Sequence, residues 1–256
     1  MNVDSFLKTG KTHNICQDYI LTSDNFIVLS DGCSGAQNAE IGSMVLCLTA
    51  QNLFKRYYGQ MDFKKAGELI IHNAEMAVRV LKGPKTCLDA TLLMAIKQNN
   101  NIHVSVYGDG VIIWIDNNNE VHYINIDFEN EKPFYLSYQL DPKREKVYRA
   151  ENIKKTIITG ILNSSIGSMV GVEENFDYGF HKTFDVNSLN GLFISSDGIN
   201  SFHHDITLDD SIFQVTNFKR THGEFLKRRM KRFIKDVESS GNWHADDISI
   251  GGFMKK

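Results

Sequence analysis

Three β-rich runs of this chain each end in Asp-Gly: Leu29-Ser30-Asp31-Gly32, Val106-Tyr107-Gly108-Asp109-Gly110 and Ser195-Ser196-Asp197-Gly198. A fourth acidic pair, Asp246-Asp247, stands before the last such run, and Asp18 stands before the first. One Asp-Gly is most often only a turn, and Asp109-Gly110, lying between two strand-like runs, fits that reading best. Carboxylates at the ends of so many runs call for another reason. If Asp24-Asn25 is a two-residue hairpin turn, Ile20 faces Leu29, Tyr19 faces Ser30 and Asp18 faces Asp31. Like charges directly opposed across a strand pair are unfavourable unless they share a proton or a cation. Carboxylates with no accompanying His or Cys constellation suit hard, oxygen-seeking cations such as Mg²⁺ or Mn²⁺. Two such ions, roughly 3.5–4 Å apart, activate water and stabilise in-line displacement at phosphorus. The chemistry these residues point to is metal-assisted hydrolysis.

The elements that must position them follow from hydrophobic spacing. Ile41, Val45, Leu48 and Leu53-Phe54 recur at helical intervals, as do Phe63, Ala66, Leu69-Ile70, Ala74, Ala77 and Leu81. With Gly59 between them and Gly83-Pro84 after them, they predict two antiparallel helices covering one face of a sheet. Thr91–Ile96, Ile102–Tyr107, Val111–Ile115 and Val121–Ile126 read as a meander punctuated by Asn-rich turns. Further strands are expected at Thr156–Ile161, Phe180–Phe184, Gly191–Ser196 and Ile248–Met254, an irregular loop at 164–172 and a helix over Thr221–Ser239. No fixed-period repeat and no Pro/Gly/Ser-rich linker divides the chain, so residues 1–256 read as one layered α+β domain with largely antiparallel sheets.

Composition narrows the class. The chain has 256 residues, 42% hydrophobic and 23% charged, which excludes disorder. A net charge of −3 argues against a dedicated nucleic-acid binder. Cys16, Cys33, Cys47 and Cys87 show neither C-x-x-C pairing nor knuckle spacing, against structural zinc or a secreted disulfide framework. The longest apolar run, Val111–Ile115, falls far short of a membrane span, and Met1–Gly10 does not read as a signal peptide. A cytoplasmic, monomeric protein with no membrane partner is expected.

Taken in order, His13-Asn14-Ile15-Cys16-Gln17-Asp18, Ser30-Asp31-Gly32-Cys33-Ser34-Gly35, Asp89-Ala90-Thr91, Gly108-Asp109-Gly110, Ser195-Ser196-Asp197-Gly198 and Ala245-Asp246-Asp247-Ile248-Ser249 resemble the motifs of the metal-dependent type 2C protein phosphatases, in a bacterial-like, single-domain form. The resemblance spans residues 11–253. It implies a four-layer αββα sandwich, two mostly antiparallel sheets flanked by helix pairs. It implies hydrolysis of phosphoserine and phosphothreonine in proteins by a water bridging two Mn²⁺ or Mg²⁺ ions, with phosphorylated proteins as substrates and a serine/threonine kinase as counterpart. On this resemblance Asp31 bridges the two ions, the Gly32 carbonyl helps bind one, Asp197 and Asp246 hold the other, and Asp18 orients a metal-bound water. Asp109, with Asp197, takes the position of a third, weaker metal site.

The chain departs from the family pattern at three places. Gln17 stands where Glu is frequent, Cys33 where a His is common, and His13 where the better-known eukaryotic members carry a phosphate-gripping Arg. As a side-chain type, imidazole serves for phosphate binding or as a general acid, and His13 is the candidate for either role. Other phosphate chemistries lack their signatures. No Arg follows Cys33 at thiolate-phosphatase spacing, no G-x-x-x-x-G-K-[ST] loop occurs and no G-x-S-x-G elbow occurs. His203-His204 read as exposed, and Trp243 as core packing beside the site. A reading of a different class comes from residues 219–235, which carry eight Lys or Arg against Glu224 alone. Leu226, Met230, Phe233 and Val237 give that helix one packing face, so its basic side is either solvated or a docking surface. In the second case the protein is a catalytically weak relative that binds phosphoproteins as a regulator.

Overall fold

Strands buried on both faces alternate which core they feed, and here the alternation is strict. The structure, a computed structural model, describes residues 1–57, 62, 65–162, 169–173, 178–203 and 206–256. In β3 (Phe26–Ser30), Phe26 and Val28 face one apolar cluster while Ile27 and Leu29 face another. In β4 (Leu92–Gln98), Leu92, Met94 and Ile96 join the first cluster and Leu93 and Ala95 the second. Side chains of successive strand residues point to opposite faces, so each strand serves two layers at once. The first cluster also takes in α1 (Ala39–Arg56) and α2 (Ala66–Val80), which cover the outer face of this sheet.

The smaller sheet runs in the order β10 (Phe180–Asp185), β5 (Asn101–Tyr107), β4, β3 and β2 (Tyr19–Ser23). The larger runs β1 (Asn2–Lys8), β12 (Ile248–Met254), β11 (Leu189–Ser195), β6 (Gly110–Asp116), β7 (Val121–Phe128), β8 (Lys155–Ile161) and β9 (Met169–Glu173). Every strand pair is antiparallel. Between the sheets lie Ile27, Leu29, Leu93, Val104, Ile112 and Ile194. Outside the larger sheet, Val111, Ile113, Phe193 and Ile250 pack against α4 (Leu208–Thr216) and α5 (Phe225–Ser239). The result is the expected α+β sandwich of two antiparallel sheets between helix pairs. Among the described residues, no helix is long and apolar enough to cross a membrane.

The expected meander is corrected. The strands at 101–107 and 110–116 belong to different sheets, so Asp109 does not sit in a hairpin turn. Gly108 (φ +92°) and Gly110 (φ +134°) let the chain leave the end of β5 and enter β6 across the sandwich. Alternation alone cannot reveal this, because both strands keep the same period on either side of the crossing. Part of the loop expected at 164–172 is strand β9, an edge strand with every residue exposed. The rest of it (164–168), Gly59, Phe63 and His204 lie outside the described residues. The last helix starts at Phe225 rather than Thr221. Spacing alone did not mark β1, α3 (Pro142–Ala150) or α4, although two of them carry start signals. Asp141 caps α3 by accepting from Lys143 N (3.0 Å) and Arg144 N (3.2 Å), with Pro142 in the first turn, and Thr207 with Asp210 forms a capping box on α4.

The crossing at Gly110 has no room for a side chain. A Cβ there meets Leu93 Cδ2 at 2.7 Å and the Ser195 carbonyl oxygen at 2.9 Å, in a backbone conformation that L residues rarely adopt. Gly110→Ala is expected to lower the unfolding free energy by about 1–3 kcal/mol, read as the urea midpoint at unchanged slope. An unaltered midpoint counts against the crossing.

Candidate metal centre

The strand ends of both sheets meet at one edge of the sandwich, and the acidic residues cap them. The hairpin register is the expected one, Tyr19 opposite Ser30 and Ile20 opposite Leu29, which leaves Asp18 and Asp31 opposed at its open end. Asp31 follows β3, Asp109 lies in the crossing between β5 and β6, Asp197 follows β11 and Asp246 precedes β12. Asp31, Gly32, Asp109, Asp197, Asp246 and His13 line one cleft of about 670 Å³, and Asp18 is buried behind it. The structure thus brings all the expected site residues to one place.

Asp31 is central. Its carboxyl lies beside those of Asp18 and Asp197, and oxygens of Asp31, Asp197 and Asp246 lie within 4.8 Å of one another. Among the described residues no Lys or Arg pairs with any of these carboxylates. Burial first, then the charges of Asp18, Asp197 and Asp246, push the Asp31 carboxyl well above the usual range. Burial raises Asp18 to about 7 and Asp197 to about 6, and it also raises Asp109 and Asp246. Asp18 Oδ1 and Asp197 Oδ1 are buried without a hydrogen-bond partner. Orphaned carboxylate oxygens in a converging, all-oxygen donor set fit divalent hard cations.

The frame around these groups is polar and specific. Ser196 Oγ donates to Asp18 Oδ2 (2.9 Å) and accepts from Ser249 N (3.0 Å), tying the end of β11 to β12 and to the hairpin. Asp31 N donates to Thr91 Oγ1 (3.1 Å) and Thr91 N to the Asp31 carbonyl (2.8 Å). Gly198 lets the 246–247 segment approach, since a Cβ there falls 1.8 Å from the Asp247 carbonyl oxygen. Ala245 N donates to the Ser201 carbonyl (2.8 Å) and Asp246 N to Ser201 Oγ (3.1 Å), which fixes Asp246 at the rim.

Asp247 plays a different part from its neighbour. Fully buried, it accepts from Gly10 N (2.7 Å) and Gln17 N (2.5 Å), and its Oδ2 lies 3.1 Å from His13 Nδ1. It therefore pins the 10–18 segment against the site. His13 also stands 3.5 Å from Asp246, and its Nε2 is 3.4 Å from Ser34 Oγ. Gln17 Oε1 accepts from Ser34 Oγ (3.0 Å), so this amide is engaged with Ser34. Cys33 lines the cleft beside Tyr135, while Cys87 is buried with its thiol pushed up by burial, a poor nucleophile.

Sequence reasoning missed Ser196, Thr91 and Asp247 as positioning groups, and Asp127 and Glu131 as further carboxylates lining the cleft. Ser196 and Asp247 were visible inside the quoted motifs but carried no signal for their partners, which are remote in the chain. Trp243 is not core. It is half-exposed, with His203 stacked on it at 4.8 Å and Lys11 Nζ 5.5 Å from its ring centroid.

These carboxyls hold protons to higher pH in the folded chain than in the unfolded one, whose Asp pKa is about 3.9. Between that value and about 7 the folded state binds more protons, so the metal-free protein loses stability as pH rises through this window. Cations displace those protons, so their stabilising effect is largest above the window. Thermal melts in EDTA are expected to show a Tm lower at about pH 8 than at about pH 5, a trend flattened by Asp31→Asn, and a Mn²⁺-induced rise greater at the higher pH. A Mn²⁺ shift independent of pH contradicts this account.

Residues 9–235 match the family model described as protein phosphatase 2C. No curated protein sequence matches the chain. Among solved structures it is similar to the serine/threonine phosphatase PstP/Ppp of Mycobacterium tuberculosis, with 12% identity and a TM-score of 0.60 over 100% of this chain and 99% of that one. It is similar to the serine/threonine phosphatase Stp1 of Staphylococcus aureus, with 14% identity and a TM-score of 0.59 over 99% of this chain and 94% of that one. The catalytic domain of PstP in complex with two manganese ions is similar at 13% identity and a TM-score of 0.55, over 98% and 96% of the two chains. At such identities the likeness is one of fold, and the family rests on the sequence model: the chain belongs to the protein phosphatase 2C family.

Proposed function

We propose that this chain, as a single catalytic domain over residues 1–256, hydrolyses phosphoserine and phosphothreonine in proteins with the help of divalent cations. The observation that carries the reading is the convergence of Asp31, Asp109, Asp197 and Asp246 on one cleft with Asp18 buried behind it, with orphaned oxygens and no Lys or Arg partner among the described residues. Membership of a phosphatase family supports the reaction class, and a related fold that binds two manganese ions supports the cation class. The four cysteines are free, in keeping with a reducing cytoplasmic setting and a cytoplasmic kinase as counterpart.

Asp31, central among the carboxylates, would touch two ions. Gly32, lining the cleft, would add its carbonyl to one; Asp197 and Asp246 would hold the other, and Asp109 with Asp197 offers a third site. When bound, Mn²⁺ or Mg²⁺ supplies Lewis-acid activation of water and neutralises the phosphoryl oxygens. Asp18, held by Ser196, orients the attacking water from behind. His13, whose Nδ1 lies 3.1 Å from Asp247 Oδ2, lines the cleft, where it would grip phosphate or protonate the departing serine or threonine oxygen.

Hydrolysis of p-nitrophenyl phosphate is expected with Mn²⁺ or Mg²⁺ and not in EDTA, and Asp31→Ala and Asp197→Ala each lower kcat/KM by about 10³-fold. Hydrolysis that survives EDTA and both substitutions overturns the mechanism. His13→Ala separates the two roles of that residue. A general acid matters more for a poor leaving group, so a loss on a phosphoserine peptide of about 10²-fold or more, against a small loss on p-nitrophenyl phosphate, marks proton donation. Equal losses mark phosphate binding, and no loss on either substrate removes His13 from the site.

A further inference from the structure

A second depression, of about 490 Å³, adjoins the cleft on the side of helix α3. The two share Cys33, Glu131, Pro133 and Tyr135, so the surface is continuous from the carboxylates to the helix. None of the phosphate chemistry above uses this depression. Its size falls in the range of small-ligand sites.

Its charged groups are largely cancelled internally. Arg144 binds Asp89 through two nitrogens, at 2.6 and 3.1 Å, and Ser137 Oγ adds a third bond to Asp89 at 2.6 Å. Lys132 pairs with Glu151 at 2.7 Å. The Arg144 guanidinium also lies over the Tyr138 ring, 5.0 Å from its centroid, which spreads its charge across an aromatic face. What this leaves for a ligand is mostly apolar. The Tyr138 and Tyr148 rings pack together at 5.1 Å, Pro133 and Tyr135 form the wall toward the cleft, and Val147 stands on α3 at 63% exposure. A valine that exposed, on a helix otherwise rich in charge, beside a walled depression, is an unfilled contact.

We propose that this depression is a subsite for an apolar side chain, leucine- or phenylalanine-sized, lying within three residues of the phosphoserine or phosphothreonine of a protein substrate. The proposal rests on the phosphatase reading of the adjoining cleft. An extended peptide advances about 3.3 Å per residue, so a neighbour of the phosphoresidue reaches the far side of the Tyr135 wall while the phosphate stays among the carboxylates. Burying such a side chain favours binding of the whole peptide and leaves the reacting phosphate untouched, so discrimination appears chiefly in KM. Lys143 and Glu131, at the rim, are the groups that would instead select acidic or basic neighbours.

The test uses the full chain with Mn²⁺ and a set of phosphothreonine peptides identical except for Ala, Leu, Phe, Glu or Lys at each of three positions on either side. One position is expected at which Leu or Phe raises kcat/KM over Ala by about 10-fold or more. In Val147→Glu and, separately, Tyr138→Ala, the Leu-to-Ala ratio at that position is expected to fall toward one. The ratio is internal to each variant, so changes in overall turnover do not enter it. Hydrolysis of the peptides with no apolar preference at any position, a preference for Glu or Lys instead, or a preference that survives both substitutions overturns the subsite and leaves the phosphatase reading intact. Failure to hydrolyse either p-nitrophenyl phosphate or any peptide overturns the phosphatase reading, and the subsite with it.

Discussion

Mutual repulsion among buried carboxylates is the constraint around which this molecule is built. Asp18, Asp31 and Asp109 are buried or nearly so, Asp197 and Asp246 reach the same cleft, and no described Lys or Arg offsets them. Such a cluster opposes folding unless protons or cations occupy it. In the metal-free chain, carboxyls whose pKa burial has raised hold protons that reduce the repulsion. The stability that holds the cluster together must come from elsewhere. Three apolar layers supply it: one between the sheets and one beneath each helix pair. A sandwich of this kind presents strand ends at a rigid edge, and that edge is where a repulsive group can be held without distorting the layers below.

Two adjacent aspartates show how finely the frame distributes these roles. Asp247 is buried yet satisfied, because Gly10 N and Gln17 N donate to it and His13 stands beside it. Asp246, one residue earlier, has its backbone fastened by Ser201 and its carboxylate at the cleft, where Oδ1 accepts from Asp247 N (2.7 Å). The first ties the loop to the site, the second lines the cleft. Strand β12 makes the division possible, because consecutive side chains at its entrance point to opposite sides. Gly198 then allows the neighbouring turn to press against the Asp247 backbone, where any larger residue forces the two apart.

What was legible in the sequence was whatever depended on local periodicity. The hairpin register followed from a two-residue turn, and with it the juxtaposition of Asp18 and Asp31. Strand β12 emerged with its observed bounds, and the helices α1 and α2 emerged from their 3.6-residue spacing. What was not legible depended on where a strand goes after it ends. The crossing at Gly108-Asp109-Gly110 looks like a hairpin in one dimension, and only its positive φ angles and sheet membership distinguish it. Strand β1 lacks an alternating pattern strong enough to stand out, and it is held in place by pairing with β12 at the opposite end of the chain. Asp247 was in plain view but looked like a duplicate of Asp246, because its partners lie more than two hundred residues away.

The departures from the family pattern become coherent when taken together. His13, Gln17 and Cys33 are far apart in role but close in space, and Ser34 links the first two through its hydroxyl. Gln17 lends its backbone N–H to Asp247 and its side-chain oxygen to Ser34, so it serves the frame of His13. Cys33 and Tyr135 both line the cleft and the apolar depression beside α3. Each unusual residue thus belongs to one group of contacts beside the cleft, while Asp31, Asp197 and Asp246 form the carboxylate cluster itself. Changes confined to that group of contacts alter the shape and hydrogen bonding of the cleft wall and leave the carboxylate cluster intact, so they bear on what the cleft can hold.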